Sequence, residues 1–143
     1  MLFKRTGIFS SFVLSASLLA LPIAAHADLT IVNNTAENST SIINDGICSA
    51  APVFGEFGVT KAKSTNQVPQ KTLNIACFFH PTNCKADIYM NPPPAPGQGD
   101  SCNGSPIATV VMNMNSGITS IKMSAGSPYK ISANGFYLTI DPM

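Results

Sequence analysis

Tyr129-Lys130-Ile131-Ser132-Ala133-Asn134-Gly135-Phe136-Tyr137-Leu138-Thr139-Ile140 decides the fold class. Apolar and polar side chains alternate on both sides of Asn134-Gly135. That dipeptide is favoured in two-residue type I′ turns, because both central residues take positive φ there. A turn centred on it pairs Ala133 with Phe136, Ile131 with Leu138 and Tyr129 with Ile140. These six side chains then share one face, and Lys130, Ser132, Tyr137 and Thr139 share the other. Strand side chains alternate with a period of two, so a one-residue slip would turn the apolar set to solvent. The stretch is an amphipathic antiparallel hairpin with one face meant for a core.

The pair of strands before it obeys the same logic. Residues 107–114 and 119–124 flank a turn-forming Asn115-Ser116-Gly117. A three-residue loop would set Met112 against Ser120 and Val110 against Lys122. A loop with an even number of residues sets Met112 against Ile121 and Val110 against Met123, so an even loop is expected. Upstream, residues 29–33, 40–44, 59–63, 72–79 and 85–90 are further short runs separated by turn residues. In the fourth, Leu73, Ile75, Cys77 and Phe79 alternate onto one face; in the fifth, Ala86, Ile88 and Met90 do. No apolar pattern keeps a helical period over about eleven residues. The expectation is an all-β, two-layer antiparallel sandwich of about eight short strands. Residues 49–58 and 91–105 resist the pattern. In the second, Pro92, Pro93, Pro94 and Pro96 favour polyproline II and remove donors that a sheet needs.

Ahead of this domain lies an export segment. Lys4-Arg5 is followed by an apolar run over residues 8–20, then Pro22 and the small-x-small site Ala25-His26-Ala27. These features predict a signal peptide over residues 1–27 and a single domain over residues 28–143. An uncleaved N-terminal anchor is the alternative, and the Ala-His-Ala site argues against it. Cleavage leaves 116 residues with 6 Lys, no Arg, 7 acidic residues and one His, a formal net charge of −1. Nucleic-acid binding needs clustered Lys and Arg to displace counterions, and this chain has no such supply. No later apolar stretch approaches the roughly 18 residues of a membrane-spanning helix. A secreted or periplasmic location follows.

Cys48, Cys77, Cys84 and Cys102 are an even set in an exported chain, where disulfides persist. Cys77 and Cys84 bracket Phe78-Phe79-His80-Pro81-Thr82-Asn83, which reads as a hairpin tip with a bridge across its base. Cys77–Cys84 with Cys48–Cys102 is the favoured pairing among three possible connectivities. A zinc site fits poorly, because there is no C-x2-C spacing and only one histidine; no cofactor or metal is expected.

Candidate chemistry is sparse. A Ser–His–Asp arrangement would have to use His80, with Asp87 seven residues on, and no Gly-x-Ser-x-Gly elbow is present. Glu56, Asp87 and Asp100 could supply a carboxylate pair for glycoside hydrolysis, but no spacing sets their separation. Asp45, Asp100 and Asp141 lie in no EF-hand-like run of oxygen ligands. Pro93 and Pro96 fit a P-x-x-P ligand without a flanking Arg, and a stiff connection explains them as well. Asn33, Asn38 and Asn103 head glycosylation triplets of the kind that chance supplies in an Asn-, Ser- and Thr-rich chain. The Phe78-Phe79 pair carries the strongest signal, set against the commoner outcome that both rings pack in a core or between the sheets. With Phe79 alternating inward, Phe78 and His80 would face out on a braced loop, and bracing lowers the entropy lost on binding.

Two resemblances concern the layout. Leu29-Thr30-Ile31-Val32-Asn33-Asn34-Thr35 looks like the opening of thaumatin-like β-sandwich proteins over seven residues. That family carries many more cysteines and an acidic cleft, which this sequence lacks. The whole layout resembles small disulfide-bonded secreted proteins of Gram-negative, often intracellular, bacteria. The residues concerned are the opening strand, Cys48-Ser49, Gly58-Val59-Thr60, Cys84-Lys85-Ala86-Asp87-Ile88-Tyr89, Cys102-Asn103-Gly104 and Gly135-Phe136. This likeness implies compartment and fold, and carries no functional residue.

Low charge, the absence of Arg and a lone His leave little material for acid–base catalysis. The expected function is therefore non-catalytic binding. Phe78, Phe79, His80, Pro81, Thr82 and Asn83 would contact a protein or cell-envelope surface, with the proline loop beside them. The alternatives are a small extracellular hydrolase using His80 or the carboxylates, and a structural subunit assembling through an edge strand.

Overall fold

Two four-stranded sheets account for most of the alternating segments. The computed structural model describes residues 27–143, so the expected signal peptide lies outside the described residues except for Ala27. The strands are β1 (Leu29–Asn33), β2 (Asn38–Ile43), β3 (Ser64–Val68), β4 (Cys84–Asn91), β5 (Ala108–Asn113), β6 (Gly117–Met123), β7 (Tyr129–Asn134) and β8 (Tyr137–Pro142). A 3-10 segment, Pro52–Gly58, follows β2, and a short helix, α1 (Gln70–Ala76), follows β3. One sheet runs β3-β1-β8-β7 and the other β2-β4-β5-β6. Between them pack Ile88, Ala108 and Val110 from one sheet and Ile131, Leu138 and Ile140 from the other. The all-β sandwich is thus present, and both expected disulfides, Cys48–Cys102 and Cys77–Cys84, are formed.

One pairing departs from an antiparallel plan. β1 lies parallel to β8, with Ile31 opposite Leu138 and Asn33 opposite Ile140. Parallel neighbours need a long connection, and these two strands are separated by most of the described chain.

The β7–β8 turn has two residues, as expected, but they are Gly135 and Phe136. Asn134 opposes Tyr137, Ala133 opposes Leu138 and Ile131 opposes Ile140. The register moves by two residues, so every side chain keeps its expected face. Gly135 takes a positive φ of 61° and Phe136 does not, which is the type II′ pattern with glycine first. The turn is held from outside the hairpin. The Gly135 carbonyl accepts the Ile118 N–H at 2.8 Å, and the Phe136 carbonyl accepts the Thr30 N–H at 2.9 Å. Gly117 meets this turn closely: a Cβ there would lie 2.4 Å from the Gly135 carbonyl carbon.

The even loop expected between β5 and β6 is not formed. Three residues, Met114, Asn115 and Ser116, join Asn113 to Gly117. A bulge beside Val111 and Met112 absorbs the odd residue. The expected pairs are replaced by Met112 opposite Ile118, Val110 opposite Ile121 and Ala108 opposite Met123, all apolar. Apolar pairing is kept by a bulge rather than by the loop.

Two expected strands are displaced. Within residues 59–63, Lys63 takes a φ of 56°, and Thr60 forms an isolated bridge to Ser39. The strand lies one step later, at Ser64–Val68, on the edge of its sheet, where polar side chains are tolerated. Residues 72–79 are not a strand either: α1 occupies Gln70–Ala76. Leu73 and Cys77 suit both readings, because positions i and i+4 share a helix face as well as a strand face. Ile75 and Phe79 distinguish the two, and both are exposed.

A polar cluster closes one end of the sandwich. Asn33 is fully buried. Its amide donates to the carbonyls of Glu37, Thr60 and Lys61 at 2.7–3.2 Å. Its Oδ1 accepts the Thr35 N–H and hydroxyl at 3.0 and 2.8 Å. Asn38, also buried, donates to Asp100 at 2.8 Å. Neither side chain is free to carry a glycan in the folded chain.

Tyr129 ties β7 to the same cluster, its hydroxyl donating to the Glu37 carboxylate. Burial, then the hydrogen bond and charge of Glu37, push its pKa up from 10.0 to about 12. The folded chain therefore holds this proton more tightly than the unfolded chain. The stabilisation is complete below pH 10 and is lost as pH rises through about 12. Tyr129→Phe is expected to flatten the fall in stability across that window, read by denaturation at stepped pH, and to remove a late phase of phenolate absorbance.

Candidate functional site

The segment between Cys77 and Cys84 is built by three neighbours. α1 ends at Ala76, and the Cys77 N–H donates to the Leu73 carbonyl at 2.8 Å. The chain then turns, with the His80 N–H on the Cys77 carbonyl at 3.0 Å. β4 begins at Cys84, whose disulfide partner is Cys77. The bridge therefore staples a helix end to a strand start; it does not close the base of a hairpin as expected. The Pro81 carbonyl accepts the Met114 N–H at 2.7 Å, which fixes the loop against the β5–β6 turn. On the other side, the Asn44 Oδ1 accepts the Lys85 N–H at 2.9 Å.

Phe78, Phe79, His80, Pro81, Thr82 and Asn83 are all exposed. Phe78 is 71% exposed and Phe79 84%. Their rings stack edge to face, 5.0 Å apart between centroids and 85° between planes. Phe79 was expected to alternate inward. It does not, because the segment leaves a helix rather than continuing a strand, and period-two alternation has no hold on it. Ile75, expected inside, is also exposed and lies one turn before the pair. Its outward placement follows from helical spacing against Leu73 and Cys77.

The proline loop is not beside this tip. It leaves β4 at Asn91, the opposite end from Cys84. It folds across β2, where Thr40 donates to the Ser101 carbonyl at 2.9 Å, Lys61 pairs with Asp100 at 3.5 Å and Cys102 bridges to Cys48.

The alternative catalytic residues occupy separate settings. Asp87, on β4, accepts the Thr109 hydroxyl at 2.6 Å. Asp100 is held by Asn38 and Lys61 in the proline loop. Glu56 is exposed on the 3-10 segment, and His80 is exposed on the tip. Of the calcium candidates, Asp45 pairs with Lys85 at 3.2 Å and Asp141 accepts from Asn34 at 2.8 Å. On the edge strand β2, Thr60 bridges Ser39 and Cys48 bridges Ile42.

Comparison with known proteins fits the exported, disulfide-bonded fold. No curated protein sequence matches the chain. A crystal structure of the Legionella pneumophila type II secretion system substrate NttC is similar, at 30% identity and a TM-score of 0.59. The similarity covers 82% of this chain and 98% of that one. The thaumatin-like look of the opening strand finds no support, whereas the small secreted disulfide-bonded layout does. The family model described as T2SS substrate NttC matches residues 5–143, and the chain belongs to that family of type II secretion system substrates.

Proposed function

We propose that this exported protein works by binding, without catalysis, and that the loop from Cys77 to Cys84 is its contact with a protein or cell-envelope surface. One observation carries this reading: two adjacent phenylalanines stand 71% and 84% exposed on a loop closed by a disulfide. Aromatic side chains are usually largely buried. Holding two of them in water on a braced loop leaves apolar area and little conformational entropy to lose on binding. The tip itself carries no Asp, Glu or Lys, so the contact is an apolar pair of rings beside the neutral polar side chains of Thr82 and Asn83.

The test is capture of partners from extracellular and membrane fractions by the immobilised, oxidised protein. Phe78→Ala/Phe79→Ala is the comparison. A saturable partner should bind at least about 30-fold more weakly to the variant, the loss of a hot spot worth about 2 kcal/mol. The variant's folding stability should stay within about 0.5 kcal/mol of the parent, since neither ring is in the core. A partner indifferent to the double variant would remove the tip from consideration.

A further inference from the structure

The two sheets do not fill the space between them. A cavity of about 120 Å³ lies inside the sandwich, walled by Ile31, Val110, Leu138 and Ile140 and covered by α1 and the 3-10 segment. Its cause is local. β2 places Ser39 and Ser41 on the cavity wall, where a sandwich core would ordinarily have branched apolar residues. Opposite Ile43, β4 places Ala86. α1 adds Ala76, and Gly58 adds no side chain.

We propose that this cavity is a binding site for a small, uncharged hydrocarbon group about the size of benzene. An apolar void of roughly 150 Å³ is known to stay dry and to accept benzene, because its walls otherwise lack contact partners. The volume here is close to that. Among the described residues no Asp, Glu, Lys or His lines the cavity, so an ionised ligand would lose hydration without gaining a partner there. Of the lining hydroxyls, Ser49 donates to the Gly58 carbonyl at 2.5 Å and Thr40 to the Ser101 carbonyl at 2.9 Å, while Ser39, Ser41 and Thr72 leave the wall neutral but add hydroxyls to it.

The cover supplies an entry. Phe54 and Phe57 line the cavity from the 3-10 segment, which has no buried residue. The segment breaks at Gly55, with φ 60° and ψ −150°, a conformation suited to glycine. It is anchored at its end by the Ser49 hydroxyl on Gly58 and by the Asn66 amide on Phe57, at 3.0 Å for the latter. A segment with few buried contacts opens at low local cost. The site is independent of the aromatic tip, although α1 lines the cavity and leads into the tip.

The experiment titrates the oxidised protein with benzene and, separately, with benzoate. Melting temperature and methyl NMR shifts are read. Benzene should raise the melting temperature saturably by about 2–5 °C and move the methyls of Ile43, Val110 and Leu138. Benzoate should do neither. Ala86→Leu fills the cavity and should abolish the response; Ser41→Val, a milder filling, should weaken it at least tenfold and serves if Ala86→Leu does not fold. Phe78→Ala/Phe79→Ala should respond like the parent. No saturable benzene response, an equal response to benzoate, or an undiminished response in a folded filling variant would each overturn the proposal.

Discussion

Removing the long-range bridge, by Cys48→Ser with Cys102→Ser, should cost the fold about 4 kcal/mol. The two cysteines are 54 residues apart, and the loop-entropy relation assigns about 4 kcal/mol to a loop of that size. Cys77→Ser with Cys84→Ser opens a separation of 7 residues, for which the same relation yields about 2.5 kcal/mol. A domain of this size has about 5–15 kcal/mol to lose, so the first variant should be marginal at physiological temperature and the second should remain folded. The Cys48–Cys102 bridge also anchors the proline loop over β2, where Thr40 and Asn91 both donate to the Ser101 carbonyl. Its loss should therefore raise amide exchange across residues 92–105 as well. Urea unfolding of the two double variants in parallel tests the order. Equal losses would show that loop length is not what sets the contribution.

Asn33→Ala should be nearly as damaging, by about 3–4 kcal/mol, although it removes only three heavy atoms. Asn33 is fully buried and makes five hydrogen bonds, four of them to backbone groups. Each buried group left without a partner costs about 1–3 kcal/mol. Truncation strands the buried Thr35 N–H. The carbonyls of Glu37, Thr60 and Lys61 lose one donor each and keep the Thr35 hydroxyl, the Ser39 N–H and the Ser64 hydroxyl. The loss therefore adds one unpaired donor to the net worth of the other bonds, about 0.5–1.5 kcal/mol each. Asn33→Asp should be worse still, because it turns carboxylate oxygen toward three carbonyl oxygens. The measure is the denaturation midpoint at unchanged m-value. A loss below about 1 kcal/mol for Asn33→Ala would mean that water replaces the amide.

The candidate site was legible in part. The braced segment and its aromatic pair are apparent from Cys77, Phe78, Phe79 and Cys84, and the structure places all six intervening residues on the surface. The outward placement of Phe79 and Ile75 was not, because Leu73 and Cys77 are compatible with both a strand and a helix. Pro69 just ahead, and Gln70, Lys71 and Thr72 without an apolar partner at period two, were the local hints of a helix start. The cavity was hidden as well. Ser39, Ser41 and Ala86 are small in the sequence, but a small residue marks a void only when the facing wall is also short, and that wall comes from distant elements.

Periodicity and chemistry alone determined the all-β class, the faces of the terminal hairpin and the expectation that the four cysteines pair. These are local properties: a period of two assigns faces whatever the register, and even cysteines in an export context pair. The choice among three connectivities was made by the fold, which brings Cys48 to Cys102 across 54 residues. Tertiary structure decided the register. The Gly135 and Phe136 carbonyls are engaged by Ile118 and Thr30, and those contacts move the turn by one residue without changing a face. It likewise decided the bulge in β5–β6, the parallel seating of β1 on β8 and the helix at Gln70–Ala76. Each depends on a partner far away in the chain, and a pattern read within a dozen residues does not contain that partner.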